Sequence, residues 1–152
     1  MADKLIIEIF REKNAEEFTK ALAAPDSRLE TGSAAAMTAA VAMSLAARAA
    51  AACDQSGEKA QYIARNIETL RGYMVHLIDE DVKSRGPLRR AIKEGDARTI
   101  EAARQPAVCI DQEIINMMGQ ALELIAGLAE ICPKDSLSLI HISEPTRQAE
   151  IS

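Results

Sequence analysis

Hydrophobic residues recur every three or four positions through much of this chain, a spacing that predicts amphipathic helices. The clearest run lies in a helix predicted from about Glu58 to Lys83. Its apolar positions are Ile63, Ile67, Leu70, Met74 and Leu77. Such alternating intervals of four and three predict the buried seam of a helical bundle. The next seam position is Asp81, which is either an anomaly with a role or a sign that the helix has left the core.

Alanine fills more than half of positions 33 to 53, and alanine forms helix at the lowest side-chain entropy cost. We expect Ser33 to cap this helix, and Gly32 to let the chain turn into it. The free N–H groups of the first turn suit an anion. The small side chains also let a neighbouring backbone come close. This helix is therefore either a closely packed central helix or one wall of a ligand site.

Two further helix starts stand out. Asn14 and Glu17 have the spacing of a capping box, which predicts a helix over residues 15–23. Asp96 is expected to cap the last long helix, which the seam spacing predicts from Ala97 to about Ile131.

Helix-breaking residues are expected to interrupt the third helix and the last helix. Gly86-Pro87 is expected to end the third helix, so that a separate short helix follows over residues 88–94. Pro106 is expected to kink the last helix. Three long helices with short connections predict one all-α domain, an antiparallel up-and-down helical bundle.

The residues from Leu137 to Ser152 resemble the translation of a sequencing-library adapter. LSLIHISEPTR matches the constant region of such an adapter, QAE stands at the index, and IS begins the next constant segment. We therefore expect a natural domain over residues 1–136 that is truncated at its C-terminus, and we exclude residues 137–152 from fold reasoning. This leaves His76 as the one histidine of the natural part.

Composition narrows the function classes. A formal net charge of -5 argues against a nucleic-acid partner, which needs a basic stripe. The longest charge-free run after Ser33 ends at Arg48, which we take as too short for a membrane span, and no signal-peptide pattern is present. The cysteines are odd in number and far apart, so we expect buried, reduced thiols in a cytoplasmic protein: Cys53, Cys109 and Cys132. One histidine and no paired cysteines give no reason to expect a metal.

The acidic run Asp79-Glu80-Asp81 supplies candidates for proton transfer. Consecutive helix positions diverge by about 100°, so the three do not share a face. Asp79 lies one turn from His76, and a pair at this spacing can shuttle a proton. The alternative is a solvated face with ordinary ion pairs, which we favour for Asp79 and Glu80 taken alone.

Ser33 has no base near it in sequence, so capping is its expected role. Three arginines suit an anionic ligand, although surface arginines are common: Arg28, Arg89 and Arg90.

Several segments together carry a family resemblance. A phenylalanine-containing helix ends in Ala-Pro over residues 18–25, and Gly32-Ser33 leads into the alanine-rich helix. The segment Leu-Ile-Asp-Glu-Asp stands at Leu77–Asp81, and Pro106 lies early in the last helix. In order and spacing, nearly all of residues 4–136 resemble the cyclodeaminase/cyclohydrolase family of folate enzymes. These occur as the C-terminal domain of formiminotransferase-cyclodeaminase and as stand-alone methenyltetrahydrofolate cyclohydrolases.

The resemblance implies chemistry on one-carbon forms of tetrahydrofolate. The reactions are hydrolysis of 5,10-methenyltetrahydrofolate to the 10-formyl form and cyclodeamination of 5-formiminotetrahydrofolate. It implies a small-molecule folate ligand, no metal, and a homodimer with the site between its subunits. Asp81 is expected to stabilise the cationic bridge and steer water as a general base, while amides at Gly32-Ser33 hold a folate oxygen. The expected catalytic residues are Asp81, Asp79 and His76. The expected substrate-binding residues are Gly32, Ser33, Thr31 and Glu80.

The chain departs from the family pattern at three places. Glu30 and Thr31 replace two glycines of the family's loop, and Lys83-Ser84-Arg85 stands where an aromatic residue often follows. The family's final helices lie beyond the expected truncation. The alternative to an enzyme is a non-catalytic helical dimerisation or interaction module that kept the bundle and lost folate with its glycines. An unrelated bundle used only for protein interaction is more remote, and folate binding separates the enzyme from both.

Overall fold

The computed structural model describes residues 9–53 and 57–132, and in these ranges it contains helices and no strand. A short 3-10 turn, Phe10–Glu12, comes first. Four helices follow: α1 Ala15–Ala23, α2 Thr31–Ala52, α3 Glu58–Glu94 and α4 Ala97–Ile131. The all-α class is confirmed. The adapter-like segment lies outside the described residues.

Helix α3 is the centre of the fold, since both α2 and α4 pack against it. The start of α2 lies beside the later half of α3, where the Ser33 hydroxyl reaches the Ile78 carbonyl. Near the end of α4, Gly127 faces Ile63, which is near the start of α3. Helix α3 therefore runs antiparallel to both neighbours, as the up-and-down prediction requires.

The predicted seam of α3 forms the core. Its five aliphatic positions, from Ile63 to Leu77, are all buried. Helix α2 meets this seam with an alanine face around Met43: Ala36, Ala39, Ala40, Ala46, Ala49 and Ala50. Because alanine side chains are short, α2 lies close to the seam. Each large seam residue that is fully buried contributes roughly 1.5–3 kcal/mol of apolar burial.

The helix starts follow the sequence prediction in two of three cases. The Asn14 Oδ1 accepts from the Glu17 N–H at 2.9 Å, and the Asp96 Oδ2 accepts from the Thr99 N–H at 3.0 Å. The third case is wrong, because α2 begins at Thr31 with Glu30 as its N-cap residue. Ser33 lies inside the first turn, where its side chain has a different partner.

The predicted break at Gly86-Pro87 is also wrong. Helix α3 continues through Pro87 to Glu94 and ends where Gly95 takes a left-handed conformation, with φ of 78°. A proline removes one helical N–H donor, which costs least on an exposed side, and Pro87 is exposed. Contacts of Arg85 and Arg89 with other segments, described below, fix the helix on both sides of it.

The cysteine prediction is wrong in two respects. Cys53 and Cys132 form a disulfide, with their Cα atoms 5.4 Å apart. The reason is topological, since α2 and α4 run in the same direction and bring their C-terminal ends together across 79 residues of sequence. Cys109 is free and exposed rather than buried.

Helices α2 and α4 are both long and apolar enough to cross a membrane by length and composition, contrary to the sequence expectation. Buried core helices of soluble proteins often have the same length and apolar composition. Length and composition therefore do not assign either helix to a membrane, and the absence of a membrane partner stays a prediction.

The disulfide gives a stability prediction. Replacing both residues, in Cys53→Ala/Cys132→Ala, is expected to lower the free energy of unfolding by about 2–4 kcal/mol, because the unfolded chain loses a cross-link over a long loop. Chemical denaturation measures this change, and dithiothreitol should reproduce it in the wild type. The control Cys109→Ala should change stability by less than about 0.5 kcal/mol. Equal effects of all variants would contradict the prediction.

Candidate functional site

Asp81 has no accessible surface although it is ionisable. Its Oδ2 accepts from the Ser33 N–H at 2.8 Å and from the Ser33 hydroxyl at 2.6 Å. Its Oδ1 accepts from the Arg85 Nε at 2.7 Å. The solvated interpretation of Asp81 is therefore wrong, since the carboxylate lies in the core and joins α2 to α3.

The Ser33 N–H is one of the donors in the first turn of α2 that have no acceptor within the helix. The positive end of the helix dipole adds to the attraction for a carboxylate. The sequence predicted an anion at this turn, and the structure supplies one from the protein itself. Asp81 thus fills the position at which a ligand carboxylate was expected.

Gly32 is necessary for this approach. A Cβ atom built on Gly32 would lie 2.7 Å from the Asp81 Cγ and still closer to the Oδ1. Real Cβ atoms do not approach so closely, so any other residue would force the carboxylate out of place. The glycine predicted to turn the chain instead makes room for Asp81.

Arg85 covers Asp81 on the solvent side, with a side chain 16% exposed. Its Nη2 donates to the Asp111 Oδ1 at 2.6 Å, and its Nη1 lies 3.4 Å from the Glu30 Oε2. Burial opposes the charge of Arg85, but the hydrogen bond and charge of Asp81, with those of Asp111, outweigh it and hold the Arg85 pKa above its usual value. One guanidinium therefore joins α3, α4 and the start of α2.

Arg89 lies one turn further along α3. Its Nη1 and Nη2 donate to the carbonyls of Ser27 and Arg28, at 3.2 and 3.1 Å. The Nη1 also lies 3.3 Å from the Glu30 Oε1. Arg89 therefore fixes the loop that leads into α2. We use the name arginine cluster for Asp81, Arg85, Arg89, Asp111 and Glu30.

Asp79 is a second buried carboxylate and serves a different segment. Its Oδ1 accepts from the Phe10 N–H at 2.7 Å, and its Oδ2 lies 3.5 Å from the Arg11 Nε. The solvated interpretation is wrong for Asp79, which ties the N-terminal turn to α3. His76 lies beside the same arginine, with its Nδ1 3.0 Å from the Arg11 Nη1. The structure thus gives Asp79 and His76 a shared cation instead of the predicted direct pair.

Glu80 lies on the more exposed side of α3, as the sequence predicted. Its Oε1 accepts from the Lys83 Nζ at 2.7 Å and lies 3.7 Å from the His76 Nε2. The hydrogen bond from Lys83 lowers the pKa of Glu80. Thr31 is exposed at the start of α2.

Six of the seven predicted site residues therefore divide into two groups, and Thr31 is in neither. Gly32 and Ser33 meet Asp81, whereas Asp79, His76 and Glu80 gather near Arg11. The sequence predicted Arg89 as a residue that could bind an anion. It did not predict a role for two central residues, Arg85 and Asp111. The position of Arg85, four residues after Asp81, is a signal for an ion pair on one helix face. No sequence signal pointed to Asp111. In the described ranges, no group of three or more histidine, cysteine or acidic side chains is arranged to hold a metal.

Fold and site define a helical-bundle protein in which a helix N-terminus binds a buried carboxylate. The sequence model of the formiminotransferase-cyclodeaminase family matches residues 14–143. The chain therefore belongs to this family, whose enzymes act in folate one-carbon metabolism, and the family resemblance is confirmed. No curated protein and no solved structure matches the chain.

The close approach at Gly32 gives a prediction with a matched control. Gly32→Ala is expected to lower the free energy of unfolding by roughly 1–3 kcal/mol, because the new methyl group displaces the Asp81 carboxylate. Gly72→Ala places the same methyl group in an exposed position of α3 with open space around it. It should raise stability by about 0.5–1 kcal/mol through helix propensity. Thermal and denaturant unfolding of both variants checks the opposite signs, and a stabilised Gly32→Ala would refute the close contact.

Proposed function

We propose that this protein converts one-carbon forms of tetrahydrofolate at the arginine cluster. The observation that carries the proposal is the meeting of two family segments, Gly32-Ser33 and Leu77–Asp81, through the hydrogen bonds of Asp81 with Ser33. These segments lie far apart in sequence. Their contact builds a charged cluster beside the apolar core of the bundle.

The two candidate reactions share one carbon centre. Cyclohydrolysis adds water to the cationic methenyl carbon, opens the ring to the 10-formyl form and releases a proton. Cyclodeamination closes the ring of 5-formiminotetrahydrofolate and expels ammonia. Both need a carboxylate that stabilises positive charge and accepts or returns a proton.

The exposure of the carboxylates assigns their proposed roles. Asp81 has no accessible surface, so we propose it as a positioning residue that fixes Arg85 and the first turn of α2. Asp111 is hydrogen-bonded to Arg85, and its side chain is 42% exposed. We propose Asp111 as the carboxylate that faces the cationic bridge and steers water. Thr31, at the exposed start of α2, is proposed to contact the folate. Catalytic roles for Asp79 and His76, a binding role for Glu80, and a cytoplasmic location stay predictions.

Asp81→Asn and Asp111→Asn are expected to lower turnover of methenyltetrahydrofolate by about 100-fold or more, the usual cost of losing a proton-transfer group or its alignment. The loss of substrate absorbance measures turnover. Denaturation curves confirm that each variant is folded during the assay.

The control for these variants is Glu94→Gln, which removes an exposed carboxylate near the end of α3. It should leave turnover unchanged. Wild-type protein that is folded but shows no turnover above the uncatalysed rate would reject the enzyme and favour the non-catalytic module. The ion pairs of Glu30 with Arg85 and Arg89, at a position where the family has glycine, are the feature that favours this second candidate.

We also propose that the protein forms a homodimer through α4. This helix exposes four large apolar side chains on one face: Val108, Ile115, Met118 and Leu122. Ile115 and Leu122 are 66% and 64% exposed. Asp111 shares this face, because it lies three residues after Val108 and four before Ile115. The apolar face is therefore continuous with the arginine cluster, which suits a site near the subunit boundary.

The double substitution Ile115→Asp/Leu122→Asp is expected to yield a monomer, because it places two charges at the centre of the apolar face. Light scattering coupled to size exclusion measures the mass. Asn116→Asp adds a charge on another side of the same helix and should leave the dimer intact. A monomeric wild type would contradict the proposed assembly.

A further inference from the structure

The carboxylate of Glu30 lies between two guanidinium groups. Its Oε2 is 3.4 Å from the Arg85 Nη1, and its Oε1 is 3.3 Å from the Arg89 Nη1. Each oxygen therefore faces one cation, which is how a bound ligand carboxylate is held between two arginines. Glu30 is the N-cap residue of α2, yet its side chain makes no capping hydrogen bond.

Glu30 is the most loosely held carboxylate of the arginine cluster. Asp81 and Asp111 accept hydrogen bonds from Arg85 at 2.7 and 2.6 Å. The contacts of Glu30 are longer ion pairs at a partly exposed position. Partly exposed ion pairs contribute little to stability, so Glu30 is the member that another carboxylate displaces most easily.

The two cations keep other partners when Glu30 leaves. Arg85 remains bonded to Asp81 through Nε and to Asp111 through Nη2. Arg89 remains bonded to the carbonyls of Ser27 and Arg28. These contacts hold both guanidinium groups in place, so the pair forms a receptor that needs no rearrangement to accept a new anion.

We propose that Arg85 and Arg89 form a carboxylate-binding subsite, which Glu30 occupies when no ligand is bound. Glu30 is then a built-in competitor that weakens binding of any ligand carboxylate. The chemical class of the ligand is a small molecule with a free carboxylate. Assigning this carboxylate to the glutamyl group of a folate rests on the proposed function.

The test measures the Kd of p-aminobenzoyl-L-glutamate for the full chain by titration calorimetry at low ionic strength. Glu30→Gln is expected to lower Kd by about tenfold, the change produced when a competitor fills a subsite about nine-tenths of the time. The double variant Glu30→Gln/Arg89→Gln should lose this gain. The dimethyl ester of the probe, which lacks both charges, should not respond to Glu30→Gln.

Two matched controls separate a built subsite from general attraction of charge. Glu94→Gln removes one negative charge elsewhere on the surface and should leave Kd unchanged. Arg90→Gln removes a neighbouring exposed guanidinium. It should raise the Kd of the probe less than Arg89→Gln does. Equal affinities of wild type and Glu30→Gln, or equal effects of the controls, would overturn the subsite.

The binding assay is independent of turnover. Tighter binding in Glu30→Gln, with no methenyltetrahydrofolate turnover in any variant, would support the subsite and reject the folate reaction. Turnover in the wild type, with no change of Kd in Glu30→Gln, would support the reaction and reject the subsite.

Discussion

A carboxylate without any contact to solvent determines the arrangement of this bundle. Asp81 is ionisable and fully buried, and such a group is tolerated only when a compensating charge and hydrogen bonds surround it. Ser33 and Arg85 meet this requirement with three short hydrogen bonds. The contact fixes the start of α2 against α3 and requires glycine at position 32. It also places Arg85 at the edge of the bundle, beside Asp111 and Glu30.

Much of the site's chemistry follows from this one constraint. Because Arg85 must cover Asp81, its remaining N–H groups face outward, where Asp111 and Glu30 meet them. The arginine cluster thus places a buried, fully hydrogen-bonded carboxylate, Asp81, close to two partly exposed ones, Asp111 and Glu30. An exposed carboxylate can exchange its partners or meet a ligand, whereas a buried one serves to position its neighbours. The proposed separation of roles between Asp111 and Asp81 rests on this difference.

Two departures from the family pattern have a physical account in the same cluster. A family glycine is replaced by Glu30, and the segment after the acidic run supplies Arg85. The two side chains form an ion pair, so the substitutions compensate each other in charge. This pairing gives Arg85 and Glu30 an oppositely charged partner without a ligand. It is also the feature on which an enzyme and a ligand-free module differ, because only an enzyme has to release the pair to bind substrate.

The sequence by itself determined the helical class, the seam of α3, the caps at Asn14 and Asp96, and the anomaly at Asp81. These follow from local spacing and short-range hydrogen bonds, which a sequence displays directly. It did not determine the continuation of α3 through Pro87, the partners of Asp81, or the bond between Cys53 and Cys132. Those depend on helices that meet from distant parts of the chain, so the energy that decides them comes from contacts between elements. Only the tertiary structure could show that the carboxylate standing in an aliphatic position is held by a serine 48 residues away.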